Sequence, residues 1–332
     1  MRRGIIKDRK SISLLCILVA AIILPVAVNN MFLRHLLVLT LIYSVLGLSL
    51  DIILGHMGQF SFGHQAFFGM GAYTTAILTT KCGFPIWLSF IAGIFLAALF
   101  GLLVGFVALK RARGFFLGII TLGVGKITWM IAIKWRSLTG STEGISFIPP
   151  PSISLPFIGT KDLDSALSYY YFALALLVLT LYLLSVWSRS RYGRAISAVR
   201  ENEELAKSLG INPYSYYVAG FTLACALAGL SGVMLAHYVT LVAPDTVSMY
   251  YMTWLLAVVI LGGRRTFAGP IVGAGFFVFL PQLLAPAKEF RFVIVGVIML
   301  LSVLLLRNGI VPSITSGWNR LWARLKMNAA NE

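Results

Sequence analysis

Two ionisable side chains, Asp51 and Lys126, stand inside long apolar runs, and four neutral polar ones, Gln59, Ser61, His64 and Gln65, crowd into one glycine-rich stretch. Neither group suits covalent catalysis. The apolar runs hold no nucleophile–base set, no H-E-x-x-H and no cluster of carboxylates. Cys16, Cys82 and Cys225 lie in or beside apolar segments without metal-like spacing, and His35, His56 and His237 show no ligand spacing with His64, so no metal or cofactor is expected. A G-x-x-x-x-G-K-(S/T) loop is also absent. Neutral amide, hydroxyl and imidazole groups can hydrogen-bond a neutral or zwitterionic solute without fixing a charge in an apolar medium. A charge at mid-bilayer costs roughly 2.5–3.5 kcal/mol, which makes Asp51 and Lys126 functional candidates by default. Coupling to protons has little support, because no chain of acids accompanies Lys126.

The elements that must position these groups are membrane helices. Of 332 residues, 59% are hydrophobic and only 11% charged, with mean hydropathy +0.89; a soluble domain carries about 25% charged residues. The composition predicts an all-α, polytopic membrane protein forming one membrane-spanning domain over 1–332. A span needs about 20 apolar residues. Ten transmembrane or re-entrant segments are legible, at 11–28, 33–54, 62–80, 86–109, 115–134, 168–187, 215–236, 246–262, 268–285 and 291–306, the third, eighth and ninth being interrupted by polar residues and glycine. The net charge of +16 follows loop polarity and implies lipid, not nucleic acid, as the partner. With the N-terminus inside, nineteen Lys/Arg fall in inner stretches and seven in outer ones, so both termini are expected in the cytoplasm. The first run is longer than a signal-peptide core and has no A-x-A site, so a retained helix is expected. The outer segment 135–167, with Pro149, Pro150 and Pro151, reads as an ordered surface loop.

The stretch from Gly55 to Tyr73, GHMGQFSFGHQAFFGMGAY, carries five glycines, each costing about 1 kcal/mol relative to Ala in an isolated helix. Close helix packing and an unwound backbone lining a cavity both account for them. In the second case Gln59, Ser61, His64 and Gln65 face the solute. Straight helices leave a gap between Asp51, about 5 Å from the inner end of its span, and Lys126, about 18 Å deep. Asp51 therefore reads as interfacial, and Lys126 as facing a wet cavity or the outer side.

Between two spans lies a charged island, RSRYGRAISAVRENEELAKSLGIN from Arg189 to Asn212, inside an inner loop over 188–213. Asn202 suits an N-cap, Glu203 and Glu204 complement the helix dipole, and Gly210 suits a left-handed stop ahead of Pro213. Two short helices follow, about Gly193–Arg200 and Glu203–Leu209, with Ala206 and Leu209 on one apolar side. The second is too short to be stable alone in water, so something packs on it.

The order Glu204-Leu-Ala206-x-x-x-Gly210 resembles the E-A-A-x-x-x-G loop of bacterial ABC importer permeases. With GLSL and LGHMGQFSFGHQAFFGMGAY, RARGFFLGIITLGVG from Arg111, LTGSTEGI from Leu138, the island, ALAGLSGVMLAHY from Ala226, APD from Ala243 and VVILGG…GPIVGA, the chain from about Leu46 to Leu306 resembles branched-chain amino acid ABC transporter permeases of the LivM type. The resemblance implies a permease subunit of the bacterial inner membrane, not an enzyme. Its expected partners are a companion permease, two ATPase subunits docked on Arg200, Asn202, Glu203, Glu204, Ala206, Leu209 and Gly210, and a periplasmic solute-binding protein. Three residues depart from the family pattern. Arg264–Arg265 follow Gly263 where the family has a further glycine; arginine enters positive φ at a cost, so either a rebuilt turn or a different contact with the ATPase is expected. Lys126 stands where an acid is common, and Asp51 where asparagine is usual. The family also includes urea and short-amide permeases, so these solutes stay open, as does an ion-coupled carrier using Lys126 and Asp51.

Overall fold

Helix breakers and caps divide the chain where the sequence places them. The structure, a computed structural model, describes residues 19–28, 30–155, 159–163, 165–284, 290, 293–294, 296–298, 300 and 309–314. Helical backbone over 19–27 leads to α1 (Met31–Asp51), where Asn30 Oδ1 accepts the Phe32 amide at 2.9 Å, and α1 runs into a π-helical turn, Ile52–His56. Then come α2 (Gln65–Thr80), α3 (Ile86–Arg111), α4 (Phe115–Lys134) and the single turn α5 (Arg136–Thr139). Next, α6 (Ala166–Arg189) is capped by Ser165 and α9 (Pro213–Val239) by Asn212, with Pro213 at its first turn where a missing N–H costs nothing. Between them lie α7 (Arg191–Glu201) and α8 (Glu203–Ser208); α10 (Met249–Gly262) and α11 (Ala268–Leu283) follow α9.

Among the described residues five helices are long and apolar enough to cross a bilayer: α1 with its π turn, α3, α4, α6 and α9. Their burial sorts them. The most apolar windows of α1 and α9 are 83% and 78% buried, against 28% for α3, α4 and α6. Thus α1 and α9 form the middle of the bundle, while the others present Phe106, Val107, Phe116 and Tyr182 outward. The ten expected segments are met in part. Segment 62–80 is helical only from Gln65, because the polar stretch before it uses its backbone elsewhere, and α2, α10 and α11, at 16, 14 and 16 residues, fall short of a full span. Segment 291–306 lies mostly outside the described residues.

Glycine sets the central spacing. A Cβ on Gly71 would overlap the backbone of Gly229, and one on Gly93 would meet Val233 and Gly71. α2, α3 and α9 therefore meet backbone to backbone, the close approach that small residues allow in lipid.

The expectation of an all-α chain needs one correction: four short strands occur, all in the long loop and just after α9. β1 (Ile145–Ser146) pairs antiparallel with β4 (Leu241–Val242), and β2 (Ser152–Leu155) with β3 (Gly159–Asp162). The chain reverses between helices here, and strand pairing satisfies amides that no helix takes up. His237 fixes the proline run: its Nδ1 lies 2.7 Å from the Pro149 carbonyl, which can only accept, so Nδ1 donates and Nε2 accepts from Thr75 Oγ1 at 2.8 Å.

Substituting Gly71 by Ala should force α2 and α9 apart and lower the thermal midpoint of the purified protein. Gly123, where an added Cβ meets nothing within 4 Å, should accept Ala with no loss, since Ala favours a helix by about 1 kcal/mol. Equal midpoints for the two variants in a detergent melt would contradict this packing.

Candidate functional site

The end of the bundle carrying Lys110, Arg111, Arg113, Arg189, Arg264 and Arg265, here the basic end, is organised by the break between α1 and α2. From Met57 to His64 the chain is not helical, so its amides need other partners. The Gln59 amide donates to Ile53 O at 3.0 Å, the Phe62 amide to Thr121 Oγ1 at 3.0 Å, and Gln59 Oε1 accepts from the Gly114 amide at 2.5 Å. Gly58 adopts φ +67 with the Arg200 side chain over it, and a Cβ on Gly63 would overlap the Thr121 carbonyl. These contacts fasten the break to the start of α4.

The four polar residues expected along a solute path therefore divide. Gln59, Ser61 and His64 are buried within the chain, and His64 Nε2 lies 2.8 Å from Ser49 Oγ. Among the described residues Ser61 Oγ, His64 Nδ1 and Gln65 Oε1 have no hydrogen-bond partner. Of the four, Gln65 borders a cavity, shared with Lys126.

Asp51 and Lys126 do not meet. Asp51 is buried at the basic end, 3.6 Å from His56 Nδ1, and its Oδ1 accepts the Arg265 amide at 3.0 Å. Arg265 adopts φ +64 directly after Gly263 at φ +116. Positive φ was expected to be costly for arginine here, with the turn rebuilt or meeting the ATPase differently. Arg265 enters it all the same, and the buried carboxylate holds the amide there. Asp51 and Arg265, which both depart from the family pattern, are thus one contact.

The charged island folds as its signals predict. α7 covers Arg191–Glu201 and α8 Glu203–Ser208; Asn202 Oδ1 accepts the Leu205 amide at 3.0 Å, and Gly210 adopts φ +80. The apolar side expected of Ala206 and Leu209 is divided: Ala206 is buried against the protein, while Leu209 is 72% exposed and Leu205 58%. Arg200 turns inward and donates to the Gly55 carbonyl. Burial, with the nearby guanidinium groups of Arg265 and Arg264, lowers Arg200 from the ordinary arginine value, and Asp51 acts the other way. Glu203 binds Arg113 Nη1 at 3.1 Å, and the Arg113 guanidinium lies 4.9 Å from the Tyr217 ring. Glu204 faces outward and meets Lys207 Nζ at 2.8 Å. Arg113 and Tyr217 were not singled out from the sequence: 90 residues separate Arg113 from Glu203, and only an unexplained basic turn marked the site.

The sequence that builds this end of the molecule matches a known family. The family described as "Branched-chain amino acid transport system / permease component" matches residues 32–303. The chain belongs to this family. The LivM permease protein of the high-affinity branched-chain amino acid transport system of Escherichia coli K12 is 33% identical over 317 residues, covering 89% of this chain and 74% of that protein. The LivM protein of Salmonella typhimurium LT2 is 31% identical, covering 92% and 75%. The LivH permease protein of the same E. coli system is 24% identical, covering 81% of this chain and 91% of LivH. No solved structure gives a significant match. The family match contains the break, the island, Asp51, Lys126 and Arg265, and the chain is a permease component of a transport system.

The turn at Arg265 yields a sign test. Asp51→Ala leaves the Arg265 amide unpartnered and should cost about 1–3 kcal/mol, read as a lower unfolding midpoint. Arg265→Gly keeps the amide and removes the positive-φ strain, so it should raise the midpoint. An equal loss from both would show that Asp51 holds the guanidinium, not the backbone.

Proposed function

We propose that this chain is the membrane subunit of a binding-protein-dependent ABC importer for branched-chain, hydrophobic amino acids, in the bacterial inner membrane. The basic end faces the cytoplasm, in keeping with the excess of Lys and Arg there. The exposed pair Leu205 on α8 and Leu209 at its C-cap carries the reading. A six-residue helix outside the apolar helices gains nothing from showing two leucines to water, and flanking Glu204 gives them a polar rim, the composition of a protein-docking patch. Its occupant is an ATPase subunit. Asn202, Glu203 and Gly210 shape α8, Ala206 seats it, and Arg200 and Arg113 carry its motion to the break and to α4.

The companion permease is a related chain: E. coli K12 has two permease proteins of one system, LivM and LivH, and this chain resembles both. Two ATPase subunits and a periplasmic binding protein complete the assembly. The chain from 1 to 332 acts as one domain, with 188–213 inside, 135–167 outside, and both termini inside. An ion-coupled carrier is disfavoured, since Asp51 is held by its own turn and lies apart from Lys126.

Glu204→Ala combined with Gly210→Ala should abolish uptake of labelled L-leucine in cells while the protein still inserts at normal levels, because the patch loses its charge and the φ +80 stop is strained. Leu205→Ser with Leu209→Ser should reduce co-purification of the ATPase subunits. Full uptake in the first variant would sink the docking assignment.

A further inference from the structure

The cavity beside Lys126 is a site that the coupling end does not explain. Its volume is about 240 Å³, and its wall is made by Gln65 of α2, Gly125, Lys126 and Trp129 of α4, and residues 247–250 leading into α10. At 1.5 Å per residue Lys126 stands about 17 Å along α4 from Phe115 and about 12 Å from Lys134, near the middle of a bilayer about 30 Å thick. The ammonium lies 4.0 Å over the Trp129 ring, and it has no hydrogen-bond or ion-pair partner among the described residues.

Three features of the wall agree on the occupant. The first is the lysine charge. The second is the start of α10: Ser248 occupies the N-cap without closing a side-chain bond, so the first-turn amides are uncapped and carry the positive end of a 14-residue helix. The third is Gln65, which is 2% exposed and whose Oε1 has no partner. A buried amide oxygen without a donor is rare unless something supplies one. An ammonium and a helix N-terminus together favour a carboxylate, and the vacant oxygen accepts from a donor such as an amine. Trp129, Val247 and Met249 offer apolar surface beside them. The volume lies below the roughly 300–1,000 Å³ of sites for drug-sized ligands, so the occupant is small.

We infer that this cavity binds a zwitterionic amino acid in transit, its carboxylate on Lys126 and the N-terminus of α10 and its ammonium on Gln65 Oε1. The inference rests on the amino-acid permease reading and names the contact point on the path. It separates amino acids from urea and short amides, which have no carboxylate for Lys126 to hold.

The test is uptake of labelled L-leucine by the complete transporter in cells, with each variant's membrane level measured. Lys126→Gln should lower uptake about ten- to a hundredfold, the range for a lost charge-assisted contact. Lys126→Arg should retain most of it, and Lys134→Gln, at the exposed far end of α4, should match the wild type. A second readout separates binding from structure: in a Cys82→Ser background, L-leucine should protect Lys126→Cys from a cationic thiol reagent, and the reagent, by restoring the charge, should restore uptake. Wild-type uptake by Lys126→Gln, or labelling unaffected by L-leucine, overturns the site and leaves the permease reading standing. A wild-type transporter that imports urea or an amide but no amino acid overturns both.

Discussion

Inside a bilayer an amide without a partner costs several kcal/mol, and this constraint falls hardest on Met57–His64, where the chain leaves the helix. Every contact that matters at the basic end answers it. Gln59 takes the amide of Gly114, Thr121 takes that of Phe62, and Arg200 reaches the carbonyl of Gly55. The break is held from three directions, by its own preceding turn, by the entry to α4 and by α7. It cannot shift without disturbing at least one of them.

This arrangement gives the charged island a mechanical reach that its length alone would not. α8 is exposed on one side and bound by Glu203 to Arg113 on the other, while α7 inserts Arg200 under the break. Through these contacts α8 and α7 touch the start of α4 and the segment joining α1 and α2. Gln65, the first residue of α2, follows that segment directly, and Lys126 stands midway along α4. The island and the cavity wall are thus joined by side chains in contact and by the helix α4.

What the sequence revealed, it revealed through local rules. Asn202 and Gly210 were legible because a cap and a left-handed stop depend on neighbours a few residues away, and the structure places both as expected. Helix α2 starts later than its apolar run suggested, since the polar residues before it serve the break. Ala206 and Leu209 were read as one apolar side, and the structure divides them, Ala206 against the protein and Leu209 outward, because periodicity does not say which face of a short helix meets the protein. Pairings such as Arg113–Glu203, Asp51–Arg265 and β1–β4 depend on parts of the chain 90, 214 and about 96 residues apart, and no spacing rule reaches that far. The residues around Lys126 were equally hidden: Trp129 is one helical turn away, but Val247–Tyr250 arrive from beyond α9.

The short helices have a consequence for the crossing itself. α10 rises about 21 Å and α2 and α11 about 24 Å, while the hydrocarbon layer is about 30 Å thick. At α2 the polar break that precedes the helix makes up part of the difference, so the chain enters this layer as non-helical backbone and not as helix. The described helices therefore do not present one uniform thickness, and two of the short ones, α2 and α10, supply Gln65, Met249 and Tyr250 to the wall of the Lys126 cavity.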